Sequence, residues 1–351
     1  MGPVVRGIHR RSVLSVKDLR GSAVAGGSLL ESRLAFRTTE ADPDRITERE
    51  MTPPRWSLHH SVRIRSDLPA LIAGRSLLAG PLLRESFGSA AGPLTKNAVL
   101  SGDPDRAKVR RTGRTHDLPE GIFLGGFAPR AYFHHLGERI SRLALLDLLP
   151  SELQDLPILV PEETLRFESL VDASSLLAPA AQLVPLRWQD EYRVRRVVWM
   201  DEVHRWTAGY PGVITHVEAM NRYRMRILAG LGIEPRVEPG LRLYVSRGER
   251  RRSPAELELE RVAIECGLET WRPEEMSFAD QVSLWSRAES VAGESGAAWT
   301  GALFASEGSK GIVVTDGSAS GWPHLGRISG MSVRVLRSYD PERFRTALAG
   351  H

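Results

Sequence analysis

Cysteine and long apolar segments are what this sequence largely lacks. Cys266 is the only cysteine in 351 residues, so no intramolecular disulfide can form, which fits a reducing compartment. No apolar run approaches the roughly 18 residues that a membrane-spanning helix needs. The first residues, MGPVVRGIHRR, contain no long apolar segment for export. We therefore expect a cytoplasmic chain without an integral membrane span.

A large excess of charge of one sign is also missing. Lysine and arginine number 47 against 43 aspartate and glutamate residues, and the net charge is +4. This mild basicity suits a phosphate-bearing ligand, but we expect no nucleic-acid partner, because an arginine excess of this size is more typical of a solvated surface. The 42% apolar and 26% charged residues are typical of a globular protein. The length favours two domains over a single core.

The first 115 residues show the weakest pattern. Short β-like pieces at 12–16 and 61–64 are interrupted by glycine, proline and arginine. The charged stretches 38–54 and 101–117 lack apolar periodicity, so we interpret them as loops. We expect residues 1–115 to form a β or irregular region that packs on the domain after it.

Strand and helix patterns alternate from residue 116 onward. Four apolar runs predict strands: GIFLGG, LPILVP, QLVPL and RVVWM, at 121–126, 156–161, 182–186 and 196–200. Residues 130–149 place apolar side chains three and four positions apart, which predicts an amphipathic helix. We expect a first α/β domain over 116–210, connected to the rest through the irregular residues 201–212.

The stretch from 241 to 316 repeats the alternation four times, and a polar cluster follows each apolar run. These clusters begin at Ser246, Pro273, Gly293 and Thr315. Strand–helix alternation predicts a parallel sheet, whose ligands bind beyond the carboxyl ends of the strands. We expect a second α/β domain over 211–335 with its site at this edge, and a C-terminal helix over 336–351. For the glycine-rich residues 317–330 we predict no element.

Two sets of residues resemble glycosyltransferase family 61. In that family a strand ends in Ser-Arg before an acidic residue and more arginines. A Glu-x-x-Ser-Phe-x-x-Gln helix start, a Gly-x-His-Gly-Ala strand end and Leu-Phe-x-x-x-Gly-Ser follow. The matching positions are Ser246, Arg247, Glu249, Arg252, Glu274 or Glu275, Ser277, Phe278, Gln281, Gly293, Gly296, Ala297, Leu303, Phe304, Gly308 and Ser309. Upstream, AYFHH at 131–135 is similar to the family's Asn-Tyr-Phe-His-Trp, and LPILV at 156–160 to its Leu-Pro-Ile-Leu-Val strand.

The resemblance implies an α/β fold of the GT-B kind, with two Rossmann-like domains facing a cleft. It also implies an inverting hexosyl- or pentosyltransferase without metal or cofactor, acting in cell-surface or capsular polysaccharide synthesis. Its partners would be a nucleotide sugar, bound mainly by the second domain, and a glycan or other hydroxyl acceptor. Departure of a nucleoside diphosphate needs its developing charge stabilised by fixed cations and N–H groups when no metal does so.

The donor-binding residues implied are Ser246, Arg247, Arg252, Glu275, Ser277, Phe278, Gly293, Ser295, Gly296 and Ala297. Within this set the arginines and the N–H groups around Gly296 would bind the diphosphate. Ser277 and Phe278 would border the nucleoside, although a helix N-cap and a core phenylalanine are an equally good interpretation. His134, which matches the family's histidine, is the candidate base for the acceptor hydroxyl, with a purely structural histidine as the alternative.

Departures from the family pattern leave two alternatives open. Ser295 stands where the family has histidine, and Ala131 and His135 replace the asparagine and tryptophan of the upstream motif. A glycosyltransferase-like protein that binds a nucleotide or a partner without catalysis is therefore one alternative.

The second alternative is a serine hydrolase, since Gly293–Ala297 nearly fits a nucleophile elbow and Asp316 and His324 follow it.

Asp103-Pro104-Asp105 imitates the metal motif of another glycosyltransferase class, but it lies in a polar stretch without a preceding strand. We interpret it as a turn.

Overall fold

The computed structural model describes residues 11–37, 46–80, 93–95, 98–100, 106–110, 113–126, 132–206, 213–247, 254–316 and 321–350. The turn interpretation of Asp103-Pro104-Asp105 and the position of Arg252 lie outside these residues. Strands and helices both occur, so the fold is mixed α/β.

The strands within the described residues are β1 (Arg11–Asp18), β2 (Ala25–Ser28), β3 (Leu34–Arg37), β4 (Thr47–Glu50), β5 (Arg55–Ile64), β6 (Ala70–Ala73), β7 (Ser76–Ala79), β8 (Pro93–Thr95), β9 (Ala98–Leu100), β10 (Arg106–Arg110), β11 (Thr115–Phe123), β12 (Ile158–Pro161), β13 (Leu183–Leu186), β14 (Glu191–Met200), β15 (His204–Trp206), β16 (Val213–His216), β17 (Glu238–Val245), β18 (Glu269–Trp271), β19 (Ala288–Glu294), β20 (Lys310–Val314) and β21 (Ser332–Leu336).

The α-helices are α1 (Ser151–Gln154), α2 (Glu168–Leu177), α3 (Val217–Leu231), α4 (Pro254–Glu265), α5 (Phe278–Arg287), α6 (Gly321–Ser329) and α7 (Pro341–Ala349). A π-helical segment spans His134–Arg139, and 3-10 segments span Arg20–Ser22, Ile140–Leu148, Glu162–Arg166, Pro273–Glu275 and Ala297–Phe304. No helix of the described ranges is long and apolar enough to cross a membrane.

The first sheet is mixed and joins the N-terminal strands to the first strand–helix region. Its order is β13-β12-β11-β14-β5-β6-β7-β1-β10-β9-β8, with β2 also paired to β5. Strands β11, β12, β13 and β14 are parallel to one another. On the other side of β14, strand β5 pairs antiparallel from Tyr192↔Ile64 to Met200↔Trp56. Strands from the first 115 residues and from residues 116–210 therefore belong to one sheet. The division of the chain into domains at 115, 210 and 335 stays a prediction.

The second large sheet contains five parallel strands in the order β18-β17-β19-β20-β21. In chain order this is 2-1-3-4-5, a doubly wound arrangement with its topological switch point between β17 and β19. A ligand of such a sheet binds in the crevice outside the carboxyl ends at the switch point, because the connections there leave in opposite directions. The fold thus points to the residues after Val245 and Glu294.

A continuous apolar core holds the two large sheets together. Ile122 and Val198 of the first sheet, Val245 and Val291 of the second, and Tyr223 of α3 belong to one buried cluster. A small antiparallel sheet, β15-β16-β3-β4, adds a second connection, since it pairs residues 35–37 with residues 214–216. The two sheets are consequently packed parts of one body.

The segment 130–149 differs from the amphipathic α-helix expected there. It forms the π-helical segment His134–Arg139, followed by a 3-10 segment to Leu148. The apolar positions are buried as the pattern indicated, but Glu138, Arg139 and Arg142 are buried as well. Buried charged side chains need partners inside the protein, and π-helical turns are frequently found at functional sites.

Four stretches expected to lack regular structure contain elements. The connection 201–212 contains strand β15. Strand β4 lies within 38–54 and all four of its residues are exposed, so no alternating pattern could indicate it. Strand β10 and the start of β11 lie within 101–117. Helix α6 occupies part of the glycine-rich stretch, where Gly326 brings it close to β21: an added Cβ would lie 2.5 Å from Val333 Cγ2.

Candidate active site

Strands β17 and β19 form the floor of the switch point. They pair in register from Arg242↔Ser290 to Val245↔Gly293. Only glycine fits at position 293, because a Cβ there would lie 2.6 Å from the carbonyl oxygen of Val245. Ser246 follows Val245 and is buried, with its N–H donating to the Trp271 carbonyl oxygen of β18. Close packing at this edge brings the next residues of both strands together.

Arg247 connects the two strand ends at the switch point. Its Nη1 lies 3.3 Å from Oε1 of Glu294, and its Nη2 donates to the carbonyl oxygen of Ser295. Its backbone N–H donates to Oε1 of Glu256 at 2.8 Å. The side chain remains 33% exposed although these contacts fix it. Its exposed part can face an anion such as phosphate.

Two carboxyl groups and a phenol surround this arginine. The hydroxyl of Tyr339 donates to Glu294 Oε1 at 2.6 Å. Burial raises the pKa of Glu256 and the neighbouring Glu294 carboxyl adds to that shift, whereas the Arg247 N–H opposes it. Burial also raises the pKa of Tyr339, with the hydrogen bond to Glu294 acting in the same direction. Glu294 thus offsets part of the charge that Arg247 would present to a ligand.

The residues after Glu294 begin the 3-10 segment Ala297–Phe304 rather than the α-helix expected there. Gly296 is extended, and an added Cβ would lie 3.4 Å from Arg247 Nε. The indole of Trp299 donates to the Glu294 carbonyl oxygen at 3.1 Å, which fixes the turn. The first N–H groups of this segment therefore lie beside the guanidinium of Arg247.

Ser295 joins the switch point to the upstream motif. Its hydroxyl oxygen accepts a hydrogen bond of 2.9 Å from Nε1 of Trp322 on α6. Trp322 is buried and packs edge to face against Phe133, with ring centroids 5.0 Å apart. The next residue is His134, whose Nδ1 lies 2.9 Å from Oε2 of Glu138. The structure therefore brings the candidate base close to the candidate donor edge.

The comparison with known families decides what this arrangement belongs to. Residues 132–313 match the family described as Glycosyltransferase 61. The matched range spans more than half of the chain and contains both His134 and the switch-point residues. The chain belongs to glycosyltransferase family 61. A search of curated proteins found no match.

Membership of this family identifies the chain as a glycosyltransferase and makes Ser295 its most informative departure from the family pattern. A hydroxyl cannot carry the charge that an imidazole can. Trp322 lies directly against this hydroxyl, in the space that a larger side chain at position 295 would need. Sequence reasoning did not single out Trp322, because it lies in the stretch for which no element was predicted.

The nucleoside-binding positions have structural roles in this glycosyltransferase. The Ser277 hydroxyl accepts the Asp280 N–H at 3.1 Å as an N-cap, and Phe278 is buried against Phe304. Glu275 is exposed in the 3-10 segment after β18. The N-cap and core interpretations are therefore realised, and contact of these residues with a nucleoside stays a prediction.

The serine-hydrolase alternative lacks its geometry. His324 is fully buried and its Nδ1 lies 3.1 Å from Thr215 Oγ1. Asp316 is exposed, and Ser295 is not among the residues with positive φ. Ser295 takes its hydrogen bond from Trp322 instead. The three residues are not connected as a nucleophile, base and acid.

Glu256, Glu294 and Tyr339 are site residues that sequence reasoning did not identify, whereas the i,i+4 spacing of Glu138 to His134 is visible in the sequence. Glu294 also carried a signal, because it lies between two residues of a family motif. The described ranges contain no group of three or more His, Cys, Asp or Glu side chains arranged to hold a metal ion. Metal independence stays a prediction.

Proposed function

We propose that this glycosyltransferase is inverting and metal-independent. It transfers a hexosyl or pentosyl group from a nucleotide sugar to a hydroxyl of a glycan or similar acceptor, in cell-surface or capsular polysaccharide synthesis in the cytoplasm. The observation that carries the proposal is the juxtaposition of Arg247, at the switch point of a five-stranded parallel sheet, with the His134 segment through Ser295, Trp322 and Phe133.

The donor site is supported by the sheet and its charge. A doubly wound sheet binds nucleotides outside the carboxyl ends of its central strands. Arg247 lies there with its side chain partly exposed, beside the first N–H groups of the segment Ala297–Phe304. Arg252, outside the described residues, follows five positions later and is the second proposed cation. Fixed donors of this kind can stabilise a departing diphosphate in place of a metal.

The fold supports a two-sided, GT-B-like arrangement for the reaction. The parallel strands β11 and β14 end beside the 3-10 segment that directly follows His134–Arg139, since Arg142 of this 3-10 segment donates to the carbonyl oxygens of Gly125 and Met200. A nucleotide sugar bound at the switch point would present its sugar toward this second edge. An acceptor between the two edges could then approach the anomeric carbon opposite the nucleotide, which inverts its configuration.

The proposed chemistry is a single displacement. His134 takes the proton of the acceptor hydroxyl, and the hydroxyl oxygen forms a bond to the anomeric carbon. The bond from that carbon to the diphosphate oxygen breaks, and its electron pair leaves with the diphosphate. Arg247, Arg252 and the N–H groups after Gly296 stabilise the leaving group. General base catalysis of this kind contributes about 10²- to 10⁴-fold to a rate.

Titration of the purified protein with UDP, GDP, CDP, CMP and their sugars tests the donor site by calorimetry and thermal shift. We expect one of them to bind, and Arg247→Ala to weaken that binding at least tenfold, because a charge-assisted pair to phosphate is worth about 1.5–3 kcal/mol. Arg261→Ala is the matched control, since Arg261 pairs with Glu258 and Glu265 on the exposed side of α4.

Equal affinity of the wild type and Arg247→Ala would refute the donor site. Binding without any hydrolysis or transfer would favour the alternative of a non-catalytic nucleotide-binding protein. That alternative draws on the loss of the family histidine at Ser295 and on the Glu294 carboxylate beside Arg247.

A further inference from the structure

The π-helical segment that carries His134 also carries a carboxylate with no assigned role. Glu138 lies four residues after His134, and its Oε2 is 2.9 Å from His134 Nδ1. The imidazole is 21% exposed, whereas the carboxylate is only 3% exposed. Nδ1 is buried and lies within hydrogen-bonding distance of the carboxylate, but it is not aligned for a hydrogen bond. The ring therefore has a buried carboxylate beside Nδ1 and is itself partly exposed.

Glu138 lies in a buried cluster of charged side chains. Arg139 is fully buried and interacts with Glu138, Glu163, Glu202 and Arg142. Burial lowers the pKa of Arg139 to about 10, and Glu138 acts against that shift. An imidazolium at His134 would add a positive charge beside Glu138.

Two other histidines near this cluster cannot supply it. His204 and His324 are fully buried, and their Nδ1 atoms lie 2.8 and 3.1 Å from the Thr215 hydroxyl oxygen between them. Burial lowers their pKa values to about 4 and about 3. His204 also packs edge to face on Phe133. Both rings therefore stay neutral and enclosed, whereas the imidazole of His134 is 21% exposed and can meet a bound molecule.

We infer that Glu138 positions His134 as the base of the transfer reaction. The carboxylate holds the proton of the neutral ring on Nδ1, which directs the lone pair of Nε2 to the acceptor hydroxyl. When Nε2 takes the acceptor proton, the ring becomes an imidazolium that Glu138 faces. A carboxylate fixes the tautomer of a catalytic histidine in the same way in serine proteases. The inference rests on the proposed function, because it names the residue that makes His134 a base.

Nitrogen-detected NMR of protein labelled at histidine tests this without a substrate. The His134 signal is assigned by its loss in His134→Gln, and its chemical shifts report which nitrogen carries the proton. We expect the Nδ1–H tautomer in the wild type and in the control Glu152→Gln, whose residue is exposed on α1. Glu138→Gln should move His134 to the Nε2–H tautomer, since an amide can donate to Nδ1, and Glu138→Asp should retain the wild-type tautomer.

An Nε2–H tautomer in the wild type would overturn the inference, and so would an unchanged tautomer in Glu138→Gln. The wild-type spectrum decides the question even where Glu138→Gln fails to fold. With a nucleotide sugar that the wild type turns over, Glu138→Gln should lower kcat about 10²- to 10⁴-fold and leave donor affinity unchanged. Absence of nucleotide binding would count against the proposed donor site, while the tautomer would still decide the role of Glu138.

Discussion

Ser295 stands at the position where the family resemblance places a histidine. Its hydroxyl cannot carry the charge that an imidazole can. In the structure it is one half of a pair, since Trp322 donates to its oxygen and fills the adjoining space against Phe133. The neighbouring Arg247 is fixed by Glu294 and the Ser295 carbonyl oxygen. A change at position 295 therefore has to be judged together with position 322.

Restoring histidine at position 295 should destabilise the protein while Trp322 is present. Overpacking of this kind costs about 1–3 kcal/mol, and Trp322→Ala alone should cost about 3–5 kcal/mol through the cavity it leaves. The double variant should cost less than the sum of both by about 0.5–3 kcal/mol, because the new imidazole occupies the vacated space. Urea unfolding of the four proteins measures this coupling. Strict additivity would show that the two side chains do not compete for space.

At the scale of elements, helix α6 determines whether the two edges meet. It carries Trp322 toward Ser295 and places Leu325 in the core shared by both sheets. Gly326 allows this position, because an added Cβ would lie 2.5 Å from Val333 Cγ2 and 3.0 Å from the Met331 carbonyl oxygen. Gly326 weakened the helical pattern in the sequence, and the same residue allows α6 to pack closely on β21.

Gly326→Ala should therefore be destabilising although alanine is the better helix former. The methyl group forces α6 away from β21, at a cost of about 1–3 kcal/mol. Gly350→Ala is the matched control, since a Cβ there would come no closer than 3.7 Å to its neighbours. Urea unfolding measures both free energies. A neutral Gly326→Ala would mean that α6 is free to shift.

The second sheet and the donor edge were largely predictable, and the reason is local. The parallel strands are short apolar runs, and capping residues such as Ser277 precede their helices, so each element has its own signal. The carboxyl ends of parallel strands then meet by geometry alone. Tyr339 could not be predicted as a neighbour of the site, because its contact depends on how the residues before α7 pack. The proximity of Glu138 to His134 follows from their i,i+4 spacing, but the burial of Glu138 in a π-helical turn had no signal in the sequence. The exposed β4 gave no signal at all.

At the scale of the whole molecule, a chain of polar groups crosses the core. Thr215 of β16 lies between His204 of β15 and His324 of α6, so the small sheet and the second half meet at two buried imidazoles. Burial lowers the pKa of both histidines. At His204 the Glu138 carboxyl raises the pKa slightly and His134 lowers it. At His324 the neighbouring His204 and Arg327 lower the pKa further. The folded protein thus binds fewer protons here than the unfolded chain.

Acidification should therefore lower the free energy of unfolding, because His204 and His324 must become protonated on unfolding. Their unfolded pKa is 6.5 and their folded values are about 4 and about 3. Each group's contribution is present above the unfolded value and is lost as the pH falls toward the folded one, at about 1.4 kcal/mol per pH unit.

Urea unfolding between pH 7 and pH 4 should show a flatter pH dependence for His324→Asn than for the wild type, because asparagine keeps a polar group near Nδ1 without titrating. His60→Asn, at an exposed position, is the control and should follow the wild type. Parallel curves for His324→Asn and the wild type would show that His324 is already protonated in the folded protein or is neutral in both states.

The antiparallel pairing of β5 with β14 also affects how the chain is made. Residues 56–64 find their partners in residues 192–200, which are synthesised more than a hundred positions later. At about 5–20 residues per second, β5 waits on the order of ten seconds on the ribosome before its ladder can close. A strand with an unpaired edge is prone to aggregation during such a delay. Production of this glycosyltransferase should therefore depend on chaperones that shield nascent strands. The second sheet, whose strands follow one another closely in the chain, should need such protection less.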